Sequence, residues 1–312
     1  MVVYHEVRLT GLTPVTLYHY KVTSGADISQ DITFRTAVRP TEPYIVDVYG
    51  DTRTNPGDHL SVVKKMIESK PNIVLHSGDL VESGSNLALW DIYFDTIKDL
   101  AKNVPYYTTL GNHEGNSQNY YNLLYLPSGG GKDNEQWYSF DYGNAHIISL
   151  DSNVRYSADQ QKWLENDLAQ SADKFQWIFV FFHNPPYSSS SHGSEFATLT
   201  DWIKLFEKYG VDMVFNGHDH VYERSVSNGI QYVIAGSGGA PQYDVNIKPN
   251  PNQIYAEKTL HFCKLSIDGS SLIFEMIRPD GSIGDTFSET EPTAVIVSDK
   301  LSITWGKIKS AF

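Results

Sequence analysis

Five short polar motifs, each directly after an apolar run typical of a buried strand, constrain this chain more than any other feature. They are YGDTR at 49–53, SGDLVE at 77–82, GNHE at 111–114, FHNPPY at 182–187 and GHDH at 217–220. Open α/β sheets place their sites at the carboxyl ends of strands, where the chain turns away from the sheet. Motifs far apart in the sequence are therefore expected to meet at one edge of the fold.

Together the motifs supply a mixed set of oxygen and imidazole ligands: Asp51, Asp79, Asn112, His183, His218 and His220. Such a mixture suits first-row transition metals, whereas calcium prefers oxygen ligands alone. A single SGD or GNH tripeptide is more often simple turn chemistry, because Gly and Asn tolerate positive φ. All five motifs in order, each at the end of a strand, indicate a two-metal site.

Apolar runs predict strands, and amphipathic runs predict helices, in alternation from residue 44 onward. The predicted strands lie at 44–50, 72–79, 104–112, 137–142, 145–151, 175–183 and 211–218, and β structure is expected over 221–287. The predicted helices cover 57–69, 86–100, 157–170 and 194–208. This order predicts an α/β fold.

Helical periodicity also predicts which helix faces are buried. In the first helix the inward residues are expected to be Leu60, Val63 and Ile67, and in the last Phe196, Leu199, Ile203 and Phe206. Ser157 and Gln160 have the spacing of a capping box at the start of the third helix.

The composition excludes several classes of protein. A formal net charge of −13 over 312 residues argues against broad nucleic-acid binding, because such proteins present a basic face. No apolar run approaches the ~18 residues that a membrane span needs. Cys263 is the only cysteine, which excludes an internal disulfide framework and a cysteine-rich zinc site.

The two ends of the chain have β patterning of their own. Residues 1–38 are predicted to form a small β module, 39–43 a stiff proline-containing linker, and 291–312 a tail of two strands. The tail either pairs with the N-terminal strands, within one chain or between two chains of an oligomer, or both ends are fragments of neighbouring modules. No basic start or long apolar stretch follows Met1, so no signal peptide is predicted.

The chain resembles the calcineurin-like metallophosphoesterase superfamily, and most closely its purple acid phosphatase-like branch. The superfamily pattern runs Asp, GDxx, GNH(D/E), a His after a strand and GHxH, which is the order of the five motifs. Longer runs resemble that branch as well: QWYSFDYGNAHIISLDS at 136–152, QKWLENDL at 161–168, GHDHVYERS at 217–225 and IAGSGGAPQY at 234–243. The resemblance implies a catalytic domain over 44–290 folded as a four-layer α/β/β/α sandwich.

A second resemblance concerns the ends of the chain. Residues 1–38 resemble the closing strands of a fibronectin type III module, and the tail at 291–312 resembles its opening strands. Pairing of the two ends would complete such a sandwich. Related proteins with these modules are commonly exported, but this chain shows no export signal, so its compartment stays open.

The phosphatase resemblance implies two metal ions, with Fe, Mn or Zn as the expected identities. Its ligand pattern assigns the first ion to Asp51, Asp79 and His220, and the second to Asp79, Asn112, His183 and His218. Asp79 would thus bridge the two ions.

Further residues are expected to face the substrate. By the same resemblance, His113 and His192 are the candidate catalytic histidines, and His113 and Asn112 are candidate phosphate contacts. Arg53 is a further candidate phosphate contact, because a guanidinium can donate two hydrogen bonds to a phosphate. Arg53 is equally well explained as a salt bridge at a strand end.

Two positions depart from the pattern of the relatives. Glu82 stands where the purple branch has a metal-binding Tyr, so the charge-transfer colour of that branch is not expected. Arg53 stands where the wider superfamily has a metal-binding His. The first metal ion would therefore complete its coordination with solvent, with Glu82 or with His59.

The expected function is hydrolysis of phosphate monoesters, by attack of a metal-activated hydroxide on a phosphorylated small molecule. The alternatives are a phosphodiesterase or nucleotidase with the same two-metal core, a protein phosphatase, and a binding module with a vestigial site. A vestigial site would have lost ligands, whereas all six ligands and His113 are present here. No platform for nucleic acid or membrane is expected.

Overall fold

The computed structural model describes residues 6–290, over which strands and helices alternate as the sequence predicts. The strands are β1 (Leu17–Tyr20), β2 (Thr23–Ser24), β3 (Asp27–Ile28), β4 (Ile32–Arg35), β5 (Tyr44–Tyr49), β6 (Ile73–His76), β7 (Tyr106–Thr108), β8 (Tyr138–Tyr142), β9 (Ala145–Ser149), β10 (Trp177–Phe181), β11 (Met213–Asn216), β12 (Tyr222–Ser227), β13 (Ile230–Ala235), β14 (Gln253–Glu257), β15 (Phe262–Asp268), β16 (Ser271–Ile277) and β17 (Ile283–Thr290).

The helices are α1 (Pro56–Ser69), α2 (Leu87–Ala101), α3 (Gln118–Leu123), α4 (Ala158–Ser171) and α5 (Phe196–Tyr209). Four of them correspond to the predicted helices, and the short α3 was not predicted. Within residues 6–290, no helix combines the length and the apolar character that crossing a bilayer requires.

Two large sheets form the centre of the molecule. One has the order β17-β16-β15-β5-β6-β7 and the other the order β14-β12-β13-β11-β10-β9-β8. The neighbouring strands β5, β6 and β7 are parallel, as are β9, β10, β11 and β13, while the outer strands are antiparallel. Each of the five polar motifs follows one of these central parallel strands, so all five lie at carboxyl ends.

Strand β10 shows how the layers are stacked, because its alternate side chains enter two separate cores. Phe179 and Phe181 pack in the core that the two sheets share, together with Val46 and Val48 of β5. The intervening Val180 packs in a second core, which the side chains of α4 and α5 complete.

Helices α1 and α2 cover the outer face of the six-stranded sheet, where the ring of Tyr93 from α2 contacts those of His59 and His76. The order of layers is therefore helices, sheet, sheet and helices. This order confirms the predicted four-layer α/β/β/α sandwich.

The predicted inward face of α1 is right for Val63 and wrong for Leu60 and Ile67. The structure buries His59, Val62, Val63 and Met66, and leaves Leu60 and Ile67 exposed. The apolar residues of this helix form two overlapping stripes, and periodicity cannot choose between them when a buried position is polar. His59 takes a buried position because its Nε2 lies 3.2 Å from the Tyr49 hydroxyl, which satisfies the ring.

In α5, Leu199, Ile203 and Phe206 are buried as predicted, whereas Phe196 is exposed. Phe196 is the first residue of the helix, and its ring packs against that of Tyr187, 5.6 Å away between centroids. The first turn of α5 thus lies at the margin of the core.

Only half of the predicted capping box forms at α4. The Ser157 hydroxyl accepts a hydrogen bond from the backbone N–H of Gln160, as predicted. The reciprocal bond is absent, because the Gln160 side chain bonds the backbone of Asp151 and the N–H of Ser157 donates to the carbonyl of Val154.

Strands β1 and β4 pair antiparallel in the N-terminal module, and β2 and β3 form a two-residue ladder. The module contacts the end of α2, where the Tyr20 hydroxyl donates to the carbonyl of Lys102 at 2.7 Å. The tail at 291–312, with its proposed pairing to these strands, lies outside the described residues. The fibronectin-like assignment and the domain boundaries therefore stay predictions.

Candidate metal centre

Asp51 and Asp79 lie side by side in the turns that follow β5 and β6. Both have left-handed backbone conformations, with φ of 54° and 57°, and both are fully buried. The N–H of Asp51 donates to the carbonyl of Gly78, and the N–H of Thr52 donates to that of Asp79. A non-glycine residue in this conformation is strained, and such strain is typical of functional sites.

His220 joins these two carboxylates from the turn after β11. Its Nε2 lies 3.4 Å from Oδ1 of Asp51. One ligand atom from each of Asp51, Asp79 and His220 lies within 4.8 Å of the others. The structure thus brings together the three residues predicted to bind the first metal ion, and they are called the first half-site below.

The other predicted ligands meet beside the first half-site. Oδ1 of Asn112 lies 3.0 Å from His183 Nε2 and 3.0 Å from His218 Nδ1. His183 Nε2 is also 3.4 Å from Oδ1 of Asp79. Asn112, His183 and His218 are called the second half-site, and Asp79 lies between the two halves.

The backbone leaves room for these carboxylates only because glycines flank them. A Cβ at Gly111 would collide with the carboxylate of Asp79, and a Cβ at Gly217 would collide with that of Asp51. The glycines of the GNHE and GHDH motifs therefore allow close approach of the chain to the ligands.

Two of the histidines are fixed with Nε2 toward the cluster. Nδ1 of His183 donates to the carbonyl of Ser77 at 2.9 Å, and Nδ1 of His220 donates to that of Pro241 at 2.7 Å. A carbonyl oxygen can only accept, so Nδ1 carries a proton in both rings, and in the neutral ring Nε2 carries the lone pair. Such bonds are typical of metal-binding histidines, because they orient the ring and select its tautomer.

The charges of the cluster also favour a cation. Oδ1 of Asp51 is buried with no hydrogen-bond partner among the described residues, and it faces the lone pair of His220. Although burial opposes ionisation of His183, the neighbouring carboxylate of Asp79 raises the pKa of that histidine to about 10. A buried carboxylate oxygen that lacks a hydrogen-bond donor and faces an imidazole lone pair is stabilised when a cation lies between the oxygen and the nitrogen. The residues present therefore fit the two metal ions.

His113 lies at the rim of the cluster. Its backbone N–H donates to Oδ1 of Asp79 at 3.0 Å, and its ring Nδ1 lies 2.9 Å from the carbonyl of Glu82. The side chain is 25% exposed, and Nε2 is 3.8 Å from Oδ2 of Asp79. One ring nitrogen is thus held by the backbone and the other is at the open side of the site.

His192 lies at the same rim, beside the second half-site. Its ring centroid is 4.0 Å from that of His218, and its side chain is 42% exposed. Nδ1 lies 2.8 Å from Oδ1 of the buried Asp219, which also accepts the backbone N–H of His192. A third hydrogen bond, from the Ser188 hydroxyl, holds this carboxylate in place.

Glu82 and His59, the two further candidate ligands of the first metal ion, have different surroundings in the structure. Glu82 accepts hydrogen bonds from Arg53 Nη1 at 2.7 Å and from the Thr54 hydroxyl at 2.6 Å. His59 lies in the core between Tyr49 and Tyr93, outside the first half-site, and burial lowers its pKa to about 3. Of the three alternatives for completing the coordination of the first metal ion, His59 is disfavoured, because its side chain has its hydrogen-bond partner in the core.

Glu114, the last residue of the GNHE motif, was not predicted as a site residue. Its side chain holds the backbone of the turns that carry the ligands. Its buried carboxylate accepts the backbone N–H groups of Asp79 at 2.9 Å, Leu80 at 2.8 Å, Val81 at 3.3 Å and Gly111 at 2.7 Å. Burial and the nearby charge of Asp79 raise the pKa of Glu114, and these N–H groups act against that rise. Glu114 lies two positions after the ligand Asn112, and Asp219 lies between the ligands His218 and His220, which is the only signal the sequence offers.

We expect Glu114→Gln to destabilise the protein by about 2–4 kcal/mol, because the amide N–H₂ would face backbone N–H groups that then lack an acceptor. Urea unfolding monitored by circular dichroism measures this loss. Glu165→Gln is a matched control, since Glu165 forms only an exposed ion pair with Lys208. Equal stability of the two variants would contradict the organising role of Glu114.

Residues 45–222, more than half of the chain, match the family model described as calcineurin-like phosphoesterase. Purple acid phosphatase 15 of Arabidopsis thaliana is 31% identical over 288 residues, covering 75% of this chain and 53% of the relative. Acid phosphatase type 7 of Mus musculus is 34% identical over 256 residues, covering 70% of this chain and 56% of the relative.

Among solved structures, purple acid phosphatase PPD1 from yellow lupin superposes with a TM-score of 0.81 at 24% identity, covering 90% of this chain and 61% of the lupin chain. This likeness supports the fold alone. The chain spans between about half and two thirds of the length of the relatives it matches.

Proposed function

We propose, from the premise that this chain belongs to the calcineurin-like phosphoesterase family, that it hydrolyses phosphate monoesters of small molecules with the help of two metal ions. The observation that carries this proposal is the convergence of all six predicted ligands at one edge of the sheets. The names of the relatives, purple acid phosphatase and acid phosphatase, favour monoesters as the substrate class.

In this proposal the first half-site holds one ion through Asp51, Asp79 and His220. The second ion is held by Asp79, Asn112, His183 and His218. Ions bound there would lower the pKa of a nearby water and neutralise the charge of the phosphate. Fe, Mn and Zn remain the proposed identities, since the ligands combine imidazole with carboxylate and amide oxygen.

His113 is proposed to bind the phosphate. Its Nδ1 is held by the carbonyl of Glu82, so this nitrogen carries a proton. When the ring is protonated, Nε2 also carries an N–H at the open side of the site. That N–H can donate to a phosphate oxygen, on which negative charge accumulates in the transition state.

His192 is proposed as the acid that protonates the leaving group. Its Nδ1 donates to Asp219, which orients the ring. The other nitrogen is then available to give its proton to the departing alkoxide. Asp219 acts through His192 as a positioning residue, because its carboxylate is buried and its contacts are with His192 and Ser188.

The test of this function compares a phosphate monoester with its matching diester. We expect the metal-loaded chain to hydrolyse para-nitrophenyl phosphate with a kcat/KM at least about tenfold above that of bis-para-nitrophenyl phosphate. Both reactions release the same chromophore, so a single absorbance assay compares them. Preference for the diester would move the assignment to a phosphodiesterase, and inactivity on both with metal bound would contradict the proposal.

A further inference from the structure

The guanidinium of Arg53 reaches into the first half-site. Nε lies 3.3 Å from Oδ2 of Asp79, and Nη2 lies 3.3 Å from Nε2 of His220. Nη1 donates to Glu82 at 2.7 Å. The side chain is only 13% exposed, so this pose is packed against its partners. Arg53 thus contacts two of the three residues that would bind the first metal ion.

We infer that Arg53 is an internal cation that competes with metal at the first half-site, so that this half-site binds its ion more weakly than the second and is filled last. This inference rests on the proposed two-metal centre. It concerns the order and strength of metal binding, which the proposed function leaves open.

The competition follows from the donors and acceptors involved. His220 donates from Nδ1 to the carbonyl of Pro241, so its Nε2 has one lone pair. That lone pair can accept an N–H of Arg53 or bind a metal ion, but it cannot do both at once. The guanidinium is always protonated, so it also repels an entering cation.

The second half-site has no such competitor. Among residues 6–290, no hydrogen bond or ion pair joins an arginine or a lysine to Asn112, His183 or His218. A metal ion can therefore enter there without displacing an arginine or a lysine.

Glu82 can remain a hydrogen-bond partner of Arg53 when the guanidinium moves out of the first half-site. Its carboxylate is 47% exposed and also accepts the Thr54 hydroxyl, so it lies on the solvent side of the arginine. A metal ion that enters the first half-site would break the Nε and Nη2 contacts, while Nη1 stays on Glu82. The displaced guanidinium then has two free N–H groups at the open side of the site, where an anionic substrate arrives.

The experiment titrates the metal-stripped full chain with Co²⁺ and follows binding by equilibrium dialysis and visible absorption. In the wild type we expect two classes of site. In Arg53→Met we expect the weaker class to bind Co²⁺ about tenfold or more tightly, while the tighter class changes little. Arg53→Lys, which keeps the charge but lacks the planar fork, should lie between them.

Arg278→Met is the matched control, because Arg278 is ion-paired with Glu257 and contacts no member of the cluster. It should leave both classes unchanged. A second readout is thermal unfolding, in which Arg53→Met should have a lower Tm than the wild type without Co²⁺ and a larger rise in Tm with it.

If Arg53→Met binds Co²⁺ with the same two affinities as the wild type, or if its weaker class loses affinity, the inference is overturned. Neither result would contradict the proposed two-metal centre. A wild-type chain that binds no Co²⁺ would overturn both.

Discussion

Asp79→Asn will lower kcat/KM for a phosphate monoester by about 10⁴-fold or more, because one substitution removes the carboxylate that lies between the two half-sites. Oδ1 of Asp79 is 3.4 Å from His183 Nε2, while Oδ2 faces Arg53 and His113. An amide offers one neutral oxygen in place of two charged ones, so we expect both metal ions to bind more weakly. The measurements are steady-state kinetics and metal content on the same sample.

Asp141→Asn is the control for this experiment. Asp141 forms an ion pair with His146 at 2.7 Å, at a distance from the motifs. It should keep both activity and metal content. If Asp79→Asn retained more than about a tenth of the wild-type activity, Asp79 would have no bridging role.

The second large effect concerns the two rim histidines. We expect His113→Ala and His192→Ala each to lower kcat for an alkyl phosphate by about 10²-fold while metal content stays at the wild-type level, because neither ring is among the proposed ligands. Loss of metal together with activity would instead place the histidine among the ligands. Elemental analysis beside the kinetic assay separates the two results.

The leaving group distinguishes the two histidines. Para-nitrophenolate departs without needing a proton, whereas an alkyl alkoxide requires one. The loss in His192→Ala should therefore be much larger with an alkyl phosphate than with para-nitrophenyl phosphate. The loss in His113→Ala should be similar with both, since binding of the phosphate does not depend on the leaving group. Equal losses in the two variants on both substrates would contradict the assigned roles.

The sequence predicts the layered fold and the meeting of the ligands, because both depend on one robust signal. A short run rich in aromatic and β-branched residues, such as FQWIFVFF, predicts a buried strand, and a polar motif directly after it is then expected at the end of that strand. The parallel order of β5, β6 and β7, and of β9, β10 and β11, then brings the edges together.

Burial of single helix positions is less predictable. In α1, Leu60 and Ile67 carry the stronger apolar signal, yet His59 is buried instead because Tyr49 offers it a hydrogen bond from another element. Partners of this kind come from distant parts of the chain, so a periodic pattern cannot reveal them.

The same reason explains what the motifs do not reveal about the site. Glu114 accepts N–H groups from two different turns, and Asp219 orients a histidine from another loop. The pose of Arg53 depends on Asp79, Glu82 and His220 together. The sequence indicates which residues have side chains that can bind a metal ion or a phosphate. Only the folded structure shows which hydrogen-bond partner each of these side chains has.

The number of metal ions per chain tests the central claim most directly. The full chain is equilibrated by dialysis against saturating Mn²⁺ and analysed for bound metal, with Asp79→Asn treated in the same way to measure nonspecific binding to this acidic protein. The two half-sites predict two ions per wild-type chain above that background. A value of one or none would contradict the two-metal phosphoesterase.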